Sequence, residues 1–188
     1  MRRLAAAILC GLLVALLHGC QKPSSKVEVI IDGNEPFPDF LVGTWKADTG
    51  GWEIVFEPDG TISSAVVSIG RVRLIPGQVT TVPMQLGGKG VFKPGPWLVR
   101  YSHQQRELLV EITINQFRTE LGDDILKGST HDILVGSVSA DGRLWWAERF
   151  SRAQYIADTK QYHNRMLAFE PGDKPIEGLL FRKVAESP

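Results

Sequence analysis

A two-residue rhythm governs this chain from Phe40 onward. In the stretch "FLVGTWKADTGGWEIVFEPDGTI", Trp52, Ile54 and Phe56 share one face while Glu53 and Glu57 take the other. Leu108, Val110, Ile112 and Ile114 alternate with Leu109, Glu111, Thr113 and Asn115. Leu144, Trp146, Glu148 and Phe150 alternate with Trp145, Ala147 and Arg149. Successive side chains of a strand point to opposite faces of the sheet, so this period marks half-buried strands rather than amphipathic helices. Turn signals separate the runs: Pro58-Asp59-Gly60, Ile75-Pro76-Gly77, Gly87-Gly88, Pro94-Gly95-Pro96 and Asp141-Gly142. Asp-Gly between alternating runs is the strongest short hairpin signal. Nineteen glycines and eleven prolines suit a chain with many turns.

The pattern predicts an all-β domain of about eight to ten strands. They fall near 41–47, 51–57, 61–74, 78–86, 96–103, 106–117, 131–139, 143–152, 164–170 and 176–184. Gly122 to Thr130 reads as a loop, and Ala153 to Asn164 as one or two helical turns. Consecutive antiparallel strands with little helix fit an up-and-down β-barrel or, alternatively, a β-sandwich; a barrel removes exposed edges, but periodicity does not choose between them.

The chain begins "MRRLAAAILCGLLVALLHGC". Arg2 and Arg3 precede an uncharged run, Leu4 to Leu17, that is shorter than the roughly 20 residues of a membrane-spanning helix. A basic start and a short apolar run describe a secretory signal. Leu17-His18-Gly19-Cys20 resembles the lipobox of bacterial lipoproteins. The resemblance implies cleavage before Cys20, a diacylglyceryl thioether on its sulfur and acylation of the new amino terminus. Residues 1–19 are then a signal peptide, 20–39 a lipidated tether and 40–188 the folded domain, held to a membrane through Cys20. Two or more acyl chains make such an anchor stable. Gln21, where Asp would resemble an inner-membrane retention signal, favours the outer membrane of the bacterial cell envelope in a cell that has one. The tether stretch "QKPSSKVEVIIDGNEPFPD" is read as extended, with Val27 to Ile31 able to add a short strand.

Phe40-x-x-Gly43-Thr44-Trp45, followed by Phe56 and the turn Asp59-Gly60-Thr61, resembles the opening of a lipocalin-like (calycin) barrel. In that family the tryptophan closes the barrel floor, and a basic residue from the last strand packs over its indole. The resemblance implies that Gly43, Trp45 and Arg182 form the floor, with Lys183 in reserve. The general physics agrees: a floor suits one large stiff apolar side chain, and a cation over an indole contributes about 0.5–2 kcal/mol.

Chemistry is sparse. The two cysteines, Cys10 and Cys20, fall in the signal and at the lipidation site, so thiol catalysis and disulfides are excluded for the mature chain. Lys plus Arg equal Asp plus Glu at 21 each, and loss of Arg2 and Arg3 leaves a net charge near −2, with no basic tract of the kind nucleic acid requires. His103, His131 and His163 are too scattered for a metal motif. Glu120, Asp123 and Asp124 lack the EF-hand pattern. Neither a G-x-S-x-G elbow nor a phosphate-binding P-loop is present, and no catalytic set, cofactor or metal is assigned. Trp52, Phe56, Trp97, Tyr101, Phe117, Trp146 and Phe150 are candidates to line a pocket, though aromatics in strands are more often plain core. Arg100 and Arg149 sit among them; turned outward they are solvated sheet charges, and turned inward each requires a carboxylate partner.

Two functions follow as expectations. In the first, the domain holds a small apolar or amphipathic ligand in its interior. In the second, the interior is filled and the outer surface docks another envelope protein. An enzyme using carboxylates or arginine at the barrel mouth is a third, weaker reading.

Overall fold

The alternating runs form twelve strands: β1 (Val27–Ile31), β2 (Gly43–Ala47), β3 (Glu53–Phe56), β4 (Ile62–Val67), β5 (Val72–Leu74), β6 (Thr80–Pro83), β7 (Lys89–Ser102), β8 (Glu107–Leu121), β9 (Asp124–Val138), β10 (Leu144–Asp158), β11 (Arg165–Phe169) and β12 (Glu177–Lys183). They come from a computed structural model that describes residues 27–67, 71–84, 87–159, 165–169 and 174–185. The fold is all-β, with two short 3-10 turns, Asp32–Asn34 and Asp39–Leu41, before the first long run of strands. The segment expected to be a signal peptide, and Cys20, lie outside the described residues.

All twelve strands belong to one sheet, ordered β1-β7-β8-β9-β10-β12-β2-β3-β4-β5, with β6 added to β7 and β11 to β10. Among the described residues this ladder is not closed; β1 and β5 stand at its ends. The last strand returns to the first part of the chain, pairing Lys183 with Trp45 and Phe181 with Ala47. Among the described residues no helical layer covers this sheet, so they bury one of its faces against the sheet itself. One core cluster draws from β1 to β5, β7 to β10 and β12, including Ile54, Leu74, Val110, Leu134, Trp145 and Phe181. The segment before β2 ties opposite parts of the curled sheet together. Phe37 packs its ring 5.8 Å from Phe56 of β3, and Phe40 meets Tyr101 of β7 edge-on at 6.1 Å.

Gly136 shows how tightly the sheet curls. A Cβ at this inward position of β9 would lie 1.9 Å from the Trp146 carbonyl oxygen on β10. Glycine lets the two backbones approach at such a bend. Gly136→Ala is therefore expected to destabilise the fold by about 1–3 kcal/mol through forced backbone displacement, read as a lowered urea midpoint. An unchanged midpoint would mean that the bend does not depend on the missing side chain.

Several local expectations are corrected. Pro94-Gly95-Pro96 is not a turn but an irregularity inside the 14-residue β7, opposite a second irregularity between Ile114 and Phe117 of β8. The prolines sit where their missing N–H groups cost little, between the β7 residues paired with β6 and those paired with β1. Each bulge switches which parity faces the core: Phe92 and Pro94 are buried before the first, Trp97, Val99 and Tyr101 after it. Residues 124–130, expected as loop, belong to β9, and 153–158, expected as helical turns, belong to β10. The two segments pair with each other over Ala153↔Thr130 to Asp158↔Ile125. Cross-strand hydrogen bonds at this length outweigh weak local propensity.

The expected tether is also shortened. Val27–Ile31 pairs with β7 in parallel, from Val27↔Trp97 to Ile31↔Tyr101. Val27 and Phe37 are buried, so the packed sheet and core include residues ahead of Phe40, from Val27 onward among the described residues.

Candidate functional site

Three places gather the residues that could carry function: the surroundings of Trp45, a charged cluster on the inner face, and the outer face of the long strands.

Beside Trp45, Gly43 adopts φ 111°, a left-handed conformation that turns the chain into β2. Trp45 is fully buried, and its indole N–H donates to the Leu41 carbonyl at 2.8 Å. Arg182 does not cover this ring. Leu179 and Phe181 face the core, so Arg182, one residue on, faces out and is exposed. Lys183 has the inward parity instead, and its Nζ donates to the Phe40 carbonyl at 2.9 Å. A cation–π pair does form at this end, but its members are Arg106 and Phe40, 5.3 Å from guanidinium carbon to ring centre. Arg106 also donates through Nε to the Val138 carbonyl at 3.2 Å. A shallow depression here is lined by Asp39, Val42, Pro58, Arg143 and Lys183.

The nominated pocket residues divide. Trp52, Phe56, Trp97, Tyr101 and Phe117 point inward, and each is only 1–2 % exposed. A side chain facing a cavity wide enough for water would present surface to it, so these rings pack as core. Trp97 donates its indole N–H to the Thr113 carbonyl at 3.1 Å. Burial raises the Tyr101 phenol pKa above its ordinary value, with the Arg106 charge pulling in the opposite direction. Trp146 is 61 % exposed and lies on the outer face. The inner face of β10 is carried by Trp145 and Ala147, both fully buried. Phe150 is half-buried on the outer parity, and Arg100 faces out beside Leu109 of β8.

Arg149 follows Trp145 and Ala147 inward. Its Nε and Nη2 donate to Asp132 Oδ1 on β9 at 3.1 and 3.0 Å, and its Nη1 donates to Glu177 Oε1 at the start of β12. The side chains of Arg149 and Asp132 are 14 % and 5 % exposed. The guanidinium also lies over the Trp52 ring at 5.2 Å. The carboxylate that a buried guanidinium requires is thus present twice. Nothing local in the sequence announced Asp132, which stands 17 residues before Arg149; its apolar surroundings, "HDILV", were the available signal. The buried hydroxyls of Thr130 and Ser151 flank this cluster on β9 and β10.

On the outer face, His131 Nε2 and Glu111 Oε2 are 3.0 Å apart. His103 contacts Glu35 and the Pro36 carbonyl instead, and His163 lies outside the described residues. Among the described residues no group of three or more His, Cys, Asp or Glu is placed to hold a metal ion. No described helix is long and apolar enough to cross a membrane. No family model matches the chain, and none of the curated proteins or solved structures compared with it matches either.

Proposed function

We propose that this protein is a lipid-anchored component of a bacterial envelope that works through its outer surface, its curled sheet serving as a filled, lipocalin-like scaffold. The observation that carries this reading is the packing of Trp52, Phe56, Trp97, Tyr101 and Phe117, which occupies the space a small guest would need. The ion cluster of Arg149, Asp132 and Glu177 occupies the polar part of the same interior with partners of its own. Trp146 supports the same choice from outside. It stands exposed in the row Glu107–Ser137–Trp146–Leu180, beside the row containing Leu109 and Val135. Exposed tryptophan beside apolar and acidic side chains suits a protein-docking centre, so the partner in this reading is another envelope protein and Cys20 supplies the membrane attachment.

Two measurements test the reading. Native mass spectrometry of the purified protein is expected to show the chain with its own acyl groups and no further guest; a stoichiometric lipid bound in addition would restore the ligand-holding reading. Trp146→Ser is expected to leave the thermal midpoint within a degree or two, as surface changes do, while weakening in-cell cross-linking from neighbouring position 137 by about tenfold, the effect of removing a moderate hot spot. Cross-linking unchanged by the substitution would exclude this face.

A further inference from the structure

We propose that the outer face of the far halves of β8, β9 and β10, with β11, rests against anionic lipid headgroups of the membrane that holds Cys20. The inference relies on the lipid-anchor reading and adds an orientation to it. Only residues 21–26 separate Cys20 from Val27, where β1 is already paired with β7. Seven residue steps span at most about 25 Å even when fully extended, so the domain cannot stand far from the bilayer.

The chain also enters at a defined place. Because β1 runs parallel to β7 and begins opposite Trp97, its N-terminal direction points toward Pro94 and Lys93 of β7. That is the half in which β7 to β10 extend beyond the bulges and β6 and β11 join the sheet.

The outer face of this half is basic. Arg118 of β8 lies directly opposite Lys127 of β9, and the same cross-strand row continues through Ile156 of β10 to Met166 of β11. Like charges directly opposite each other in a sheet are unfavourable unless something anionic meets them. Glu120 accounts for part of it, at 3.3 Å from Arg118. Lys93, Lys127 and Arg152 are exposed and form no ion pair among the described residues. Asp158 lies at the far end of the same β10 face. A groove of about 420 Å³ runs beside the row, lined by Gln116, Lys127, Ser129, Gln154, Ile156 and Met166. Met166 is 71 % exposed, and with Ile156 it gives the basic row an apolar end suited to the headgroup boundary. Lysine and arginine near an anionic leaflet are attracted within about one Debye length of it, and the short tether holds them within that reach.

The test uses full-length protein purified from membranes, with a bimane fluorophore on Gln154→Cys in this face or on Gln105→Cys in the β7–β8 turn. Each chain is added to preformed vesicles bearing a headgroup nitroxide, with or without phosphatidylglycerol. Position 154 is expected to be quenched more strongly than 105 in the anionic vesicles, and the difference is expected to fall by about tenfold or more in an R118E/K127E background. Equal quenching at the two positions, no quenching at either, or a difference that survives the charge reversal overturns the proposal. The intact mass of the same preparations reads lipidation separately. An unlipidated Cys20 defeats the anchor reading, and the same two labels in a Cys10→Ser/Cys20→Ser chain, which has no other thiol, then decide whether this face meets the lipid.

Discussion

Replacing Trp45 with alanine is expected to lower the unfolding free energy by about 3–5 kcal/mol, the range for removing a large aromatic from a core. Three contributions combine. The ring is fully buried, so its apolar surface returns to water on unfolding and a cavity replaces it on truncation. Its N–H satisfies the Leu41 carbonyl at 2.8 Å, an acceptor that would be left buried and unpaired. Finally, Trp45 lies where β12 meets β2, through Lys183↔Trp45, so a collapse there loosens the junction of the chain's two ends. Urea unfolding of the variant reads the sum, and Trp45→Phe separates the hydrogen bond, worth about 0.5–1.5 kcal/mol net. A total loss below about 1 kcal/mol would mean that Trp45 does not carry the core packing that its burial suggests.

Asp132→Ala is expected to cost a comparable about 3–5 kcal/mol, for an electrostatic reason. Two donor atoms of Arg149 converge on one Asp132 oxygen, in a setting where both side chains are largely withdrawn from water. Removing Asp132 leaves the guanidinium with Glu177 alone, whose side chain is one-third exposed and more strongly screened. Glu177→Gln is accordingly expected to cost less, nearer the about 0–1 kcal/mol of surface pairs. The decisive comparison is the double variant Asp132→Leu with Arg149→Met. Replacing a buried pair by apolar groups of similar volume is often neutral or stabilising, so the double variant is expected to recover most of what Asp132→Ala loses. If instead it unfolds at lower urea than the single variant, the cluster contributes more than mutual neutralisation, and a role in organising β9, β10 and β12 would follow.

The difference between what was readable and what was not is clearest on β10. The pattern made residues 143–152 a strand, but both parities carried aromatics, Trp145 on one and Trp146 with Phe150 on the other. No local rule selects a face when each side offers an indole. The choice belongs to residues distant in sequence: Phe181 stacks on Trp145 at 4.6 Å, and Asp132 with Glu177 accept the Arg149 guanidinium on the same side. The same holds at β12, where the basic pair Arg182-Lys183 was visible but its inward member was set by the burial of Leu179 and Phe181. Arg149 was singled out by its aromatic neighbours, while Asp132 was missed because its partner lies on another strand.

By itself, the sequence determined the all-β character of this protein, its turns at Asp59-Gly60 and Asp141-Gly142, and the core face of Trp52, Ile54 and Phe56, because side-chain alternation and turn chemistry are set within a few residues. The tertiary structure alone decided the parallel docking of β1 on β7, the length of β9 and β10, the side on which Trp146 and Arg149 emerge, and, among the described residues, the unclosed ladder with its buried aromatic core. Those features depend on hydrogen bonds and contacts between residues tens of positions apart, and a pattern with period two is blind to which neighbour completes it.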